Sequence, residues 1–124
     1  VGYFIVFIGS GLGGMLRYSV GMLSIRVFGT NFPYGTLGIN VLGSALMGIV
    51  VGVFTTTNLT SQDTKLFLTT GVIGGFTTFS TFSLDAAVLW ERGQHLAAAA
   101  YVVASVIVSL MALILTMMVI RRHL

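Results

Sequence analysis

Apolar residues along this chain come in four long runs, at residues 3–25, 34–55, 65–90 and 96–120. Each is long enough to cross a bilayer as a helix, which takes about 20 apolar residues. The breaks between them, at 26–33, 56–64 and 91–95, collect charged residues, the single proline, and Asn and Gln side chains. The pattern predicts an all-α membrane protein with four transmembrane helices. Residues 1–124 then form one four-span domain, with no soluble domain left over. Composition agrees: 7% of the residues are charged, against roughly 25% in soluble domains. So few charges could not cover a surface in water.

The third run departs from the pattern. Residues 74–83 read GGFTTFSTFS, with two glycines, five hydroxyl residues and three phenylalanines. Glycine is a poor helix former, and Ser and Thr offer the backbone competing hydrogen bonds. A break in the third helix is therefore predicted. Non-helical backbone survives at membrane depth only where protein or a water-lined cavity covers it, and transporters use such breaks to hold ions. Freed carbonyls suit a hard cation such as Na⁺. N–H groups and hydroxyls suit an anion.

Three runs also carry small or polar residues at every fourth position, which places each set on one helix face. The first has Gly9, Gly13, Arg17 and Gly21; the second Thr36, Asn40, Ser44, Gly48 and Gly52; the fourth Tyr101, Ser105 and Ser109. Glycine faces are the usual packing seams between membrane helices. Asn40 is different, because a mid-span amide is costly unless paired. It marks either an ion path or an interhelical hydrogen bond. Phe76, Phe79 and Phe82 recur every three residues. They suit lipid or core packing, or, through their electropositive ring edges, an anion.

Charge adds little direction. With four spans, Lys65, Arg121 and Arg122 share one side, and Arg26, Arg92 and the more deeply placed Arg17 the other. The near balance gives almost no positive-inside signal. The chain either depends on a partner to insert one way or inserts both ways and pairs antiparallel. The six cations are scattered along the chain, so no clustered nucleic-acid footprint exists. The first run is not read as a signal peptide, since it lacks a basic start and Arg17 interrupts the place for a cleavage region. Cysteine is absent, which excludes disulfides and thiol chemistry. Asn58-Leu59-Thr60 matches a glycosylation triplet, a match common by chance. Gly9–Gly14 fits G-x-G-x-x-G, but the first acid is Asp63, far beyond the roughly 20 residues a dinucleotide site requires.

Three segments together carry a family resemblance. Gly13-Gly14-Met15-Leu16-Arg17-Tyr18, then residues 35–43 (GTLGINVLG), then residues 74–82 (GGFTTFSTF) resemble the Fluc (CrcB) fluoride channel family over nearly the whole chain. The resemblance implies an antiparallel, dual-topology homodimer in the bacterial inner membrane, with two fluoride pores. It implies a structural Na⁺ at the dimer interface, held by the backbone carbonyls of Gly74 and Thr77. Asn40, Phe79, Phe82, Tyr101, Ser105 and Ser109 are the implied fluoride pore. Arg17 and Thr36 are weaker candidates for its entrance, and Arg17 equally suits snorkelling to the interface. Asp85 stands where the family often has a glutamate, one methylene longer. The implied activity is passive export of cytoplasmic fluoride, with fluoride and membrane lipid as the partners.

The main alternative is a small dual-topology multidrug or cation exporter. Such a protein needs an intramembrane carboxylate, and the first two runs contain no Asp or Glu. A non-transporting assembly subunit would explain the glycine faces but not the interleaved Phe and hydroxyl residues. An enzyme is not expected: His95 and His123 sit at span ends without a nucleophile or metal-ligand cluster around them.

Overall fold

The computed structural model describes residues 1–57 and 61–124, so the Asn58-Leu59-Thr60 triplet lies outside the described residues. Helix α1 spans Gly2–Phe28 and α2 spans Tyr34–Thr56. The third run is composite. It opens with α3 (Gln62–Leu66), widens into a π-helical segment at Phe67–Ile73, and closes with the short turn α4 (Gly74–Phe76). After two extended residues, helix α5 runs over Phe79–Glu91, and α6 over His95–His123. Four helical stretches, Gly2–Phe28, Tyr34–Thr56, Gln62–Glu91 and His95–His123, are long and apolar enough to cross a membrane. The shortest has 23 residues and at 1.5 Å per residue exceeds a hydrocarbon core about 30 Å thick.

Local chemistry explains the boundaries. Gly29 takes φ 77° and its N–H closes on the Ile25 carbonyl at 2.9 Å, ending α1. Pro33, with no N–H to lose, stands just before α2. Ser61 caps α3 by accepting from the Thr64 N–H at 3.2 Å. Between α5 and α6, Gly93 adopts φ 79° and the Gln94 N–H reaches back to the Leu89 carbonyl at 3.0 Å. That is a Schellman-type stop, which favours glycine at this position. The G-x-G-x-x-G match lies wholly inside α1, where no phosphate-binding turn exists.

Packing follows the small-residue faces. Helix α2 runs along α6, and α1 runs along the π-helical segment and α4. A Cβ on Gly9 would lie 2.8 Å from the Gly71 Cα, and one on Gly48 would strike the Leu113 carbonyl and the Thr116 hydroxyl. Backbones approach this closely only where side chains are missing, the usual basis of helix association in lipid. Thr116 adds a cross-link, donating to the Ala45 carbonyl at 3.0 Å. At one end of the bundle, Arg121 Nε donates to Thr55 Oγ1 at 3.1 Å, joining the last turns of α6 and α2.

Phe76, Phe79 and Phe82 do not form one stripe. Thr77 and Thr78 interrupt the helix between the first two. Phe76 is buried, Phe79 is 78% exposed and Phe82 is 9% exposed. Spacing of three has helical meaning only within an unbroken helix.

Gly48 provides a test of the seam. Gly48→Val should lower the thermal unfolding midpoint of the purified protein, since overpacking of this kind costs roughly 1–3 kcal/mol. A midpoint equal to wild type would show that α2 and α6 are not held this closely.

Candidate functional site

Helical hydrogen bonding in the third run stops at a defined place. The Thr77 N–H still bonds to the Ile73 carbonyl at 3.0 Å. Thr77 itself is extended (φ −82°, ψ 160°), as is Thr78 (φ −152°, ψ 123°). The next backbone N–H, that of Thr78, donates to Asn40 Oδ1 at 2.8 Å, and Asn40 Nδ2 donates to the Thr78 carbonyl at 2.9 Å. One side-chain amide therefore meets both polar groups of one peptide-bonded residue. Helix α5 then restarts with Thr78 as its cap, the Thr81 N–H donating to Thr78 Oγ1 at 3.2 Å.

These substitutions have a consequence for the carbonyls. In a continuous helix the Gly74 carbonyl would accept from Thr78 and the Thr77 carbonyl from Thr81. Both N–H groups are instead bonded to side-chain oxygens. Gly74 and Thr77 therefore carry carbonyls available to another partner, and Gly74 lies exposed on the surface of the single chain. Backbone carbonyl oxygens are ligands for a hard cation of the Na⁺ class, so the residues present fit such an ion. The neighbouring Gly75 carbonyl accepts from Arg17 Nε at 3.3 Å.

On one side of Thr78 lies a cleft of about 460 Å³. Asn40 and Ser44 of α2, Thr77, Phe79 and Phe82 of the third run, and Ser105 and Ser109 of α6 line it together with aliphatic side chains. Ser105 Oγ and Ser109 Oγ are buried and have no hydrogen-bond partner among the described residues. Such a condition is unusual. Serines in helices commonly bond to the i−4 carbonyl, and buried polar atoms are nearly always satisfied. The Phe79 and Phe82 rings stand 5.5 Å apart at 53°. Phe79 forms an exposed rim and Phe82 a buried wall.

On the other side lies a larger cavity of about 680 Å³. Arg17, Thr36, Thr81, Asp85 and Arg92 line it, and Thr78 borders both spaces. Two guanidinium groups against one carboxylate make this space favourable to anions.

The structure thus divides the candidate residues. Asn40, Phe79, Phe82, Ser105 and Ser109 meet in the cleft, with Thr77 at its edge. Arg17 and Thr36 face the larger cavity. Tyr101 is fully buried and is not among the cleft-lining residues. Its hydroxyl donates to Asp85 Oδ2 at 3.2 Å, and its ring packs on Phe82 at 5.3 Å and edge-on to Phe32 at 5.6 Å. Thr78 is not among the candidate residues that the sequence singles out. A Thr standing directly ahead of an apolar helical run is a cap signal, and it is readable at Thr78 ahead of residues 79–91.

A family model described as CrcB-like protein, Camphor Resistance (CrcB), matches residues 4–117. The chain is 51% identical over 119 residues to a protein of Granulibacter bethesdensis named fluoride-specific ion channel FluC, covering 96% of this chain and 94% of that one. It is 49% identical over 119 residues to a protein of the same name from Rhodopseudomonas palustris, with 96% of each covered. It is 45% identical over 120 residues to fluoride-specific ion channel FluC 2 of Nitrobacter hamburgensis, with 97% of each covered.

The Asn40 pair makes a stability prediction of its own. Asn40→Leu leaves the Thr78 N–H and carbonyl without their partner and should destabilise the fold by roughly 1–3 kcal/mol. Thermal unfolding followed through Trp90 fluorescence would measure it. An unchanged midpoint would mean that the paired amide contributes nothing.

Proposed function

The chain belongs to the CrcB-like family, and on that premise we propose that it is a fluoride-selective passive channel of the bacterial inner membrane. It works as an antiparallel, dual-topology homodimer with two pores. Each pore runs along the cleft bearing Asn40, Phe79, Phe82, Ser105 and Ser109. The exported ion is cytoplasmic fluoride.

The observation that carries this proposal is the pair of unpartnered hydroxyls in the cleft. Ser105 and Ser109 lie one helical turn apart, and their buried oxygens lack partners among the described residues. Fluoride is small, charge-dense and strongly hydrated. A pore must replace its water with donors yet let it leave. Two O–H groups can do this. Asn40 has one amide N–H left after bonding Thr78. Ring edges of Phe79 and Phe82 add weak electropositive contacts. None of these donors carries a full charge, so an ion passing between them is not trapped.

Tyr101 supports the pathway through its ring against Phe82, while its hydroxyl is engaged with Asp85. The larger cavity, with Arg17 and Thr36 in its wall, serves as the entrance that concentrates anions. A structural Na⁺ at the dimer interface is assigned to the Gly74 and Thr77 carbonyls, and when bound it supplies a fixed positive charge near the pores. Exposure of Gly74 and of the Phe79 ring in the single chain suits coverage by a second copy. Near-equal charge on the two sides of the membrane suits insertion both ways.

Physiology follows from acid–base chemistry. Neutral HF crosses membranes and dissociates in a less acidic cytoplasm, which traps fluoride. A passive anion pathway then lets the inside-negative potential drive it out. The exporter alternative is not favoured, because the residues lining the cleft include no Asp or Glu, and proton- or cation-coupled export needs such a carboxylate.

The roles of the ring edges and hydroxyls are tested by Phe82→Ile, Phe79→Ile and Ser105→Ala in liposome fluoride release. Each removes a contact worth roughly 1 kcal/mol, so release should fall by about fivefold while dimers persist in size-exclusion chromatography. Wild-type release from all three variants would move the pathway away from this cleft.

A further inference from the structure

The geometry points to Arg17 as a positioning residue: its guanidinium holds the turn at residues 74–78 in place through the Gly75 carbonyl. The consequence for ion flow rests on the channel proposal above. The hydrogen bond itself does not.

Three observations lead there. Arg17 Nε lies 3.3 Å from the Gly75 oxygen, in a half-buried contact that joins α1 to the third run. The Gly75 carbonyl needs such a donor. A continuous helix would supply the N–H of Phe79, but two extended residues intervene. Each advances the chain by about 3.3 Å instead of 1.5 Å, which carries that N–H out of reach. Finally, the approach is built into α1. Gly9 and Gly13 stand two turns and one turn before Arg17 on the same face, and both are buried against residues 67–76. A Cβ on Gly75 would lie 2.5 Å from the Ser10 carbonyl. The glycine contacts seat α1 close enough for the Arg17 side chain to reach.

Arg17 and Asn40 then grip the same turn from two different helices. Asn40 of α2 takes both polar groups of Thr78, and Arg17 of α1 takes the carbonyl of Gly75. Between the two grips lie the Thr77 carbonyl and, just ahead of Gly75, that of Gly74. A guanidinium suits this task because its Nε–H points in a fixed direction from a planar group. The lysine ammonium is a strongly hydrated point charge on a flexible stem and lacks that directionality. Arg17 can keep its remaining N–H groups toward the larger cavity, whose wall it shares with Asp85.

Hydrogen–deuterium exchange of the purified full-length dimer in lipid nanodiscs, read by mass spectrometry, tests the assignment in parallel with fluoride release from liposomes. In Arg17→Gln, amides of residues 74–79 should exchange about tenfold faster than in wild type, as expected for loss of a hydrogen bond to a charged group. Exchange in α6 should stay unchanged, and fluoride release should fall. Arg17→Lys should restore neither, and it decides the matter alone if Arg17→Gln does not fold. Wild-type exchange at 74–79 in these variants would overturn the assignment. Slow release with wild-type exchange would mean that Arg17 acts directly on the anion as a charge at the cavity wall. Full rescue by Arg17→Lys would also overturn it, since a point charge would then suffice. If wild-type protein releases no fluoride, the channel proposal fails, and the exchange comparison still decides the role of Arg17.

Discussion

Everything distinctive in this structure depends on the paired hydrogen bonds between Asn40 and Thr78. A backbone cannot leave helical geometry inside a membrane unless its N–H and carbonyl find other partners. Asn40 provides both, at 2.8 and 2.9 Å. With Thr78 satisfied, Thr77 and Thr78 can extend, α5 can restart under its own threonine cap, and the carbonyls of Gly74 and Thr77 lose their helical partners. A residue type that is expensive in mid-span is thereby made affordable by the irregularity it supports.

The same residue joins the two extended residues to the cleft. Asn40 follows Thr36 and precedes Ser44, Gly48 and Gly52 on one face of α2, and that face does three jobs along its length. Thr36 borders the larger cavity, Asn40 and Ser44 line the cleft, and Gly48 and Gly52 seat α2 against α6. Close seating brings Ser105 and Ser109 of α6 to the cleft opposite Phe79 and Phe82. Packing and the shape of the cleft are therefore not separate properties here. Loosening the glycine seam would move the hydroxyls away from the ring edges.

Much of this was legible in the sequence, because bilayer thickness imposes a simple length rule. The four apolar runs mark the four spanning stretches, and the glycine faces mark the seams. The composition of residues 74–83 marks weak helix propensity. Other features depend on tertiary contact and left no local trace. Nothing in Phe67–Ile73 announces a π-helix; its wider turn becomes intelligible with Gly71 pressed against Gly9. Spacing put Tyr101 on one face with Ser105 and Ser109, but its long side chain reaches Asp85 on a neighbouring helix instead of ending in the cleft. Arg17 suits snorkelling or a charge at an entrance from its sequence position, and its contact with the Gly75 carbonyl has no local signal. In each case the deciding partner lies far along the chain, where pattern and propensity do not reach.

The central claim is that this cleft passes fluoride and discriminates against larger halides. Its most direct test is ion release from liposomes containing the purified wild-type protein, triggered by a K⁺ ionophore and read with a fluoride electrode, with chloride release run in parallel. Rapid fluoride release with little chloride release is the predicted result. Release of neither ion from folded dimers, or equal release of both, would contradict it.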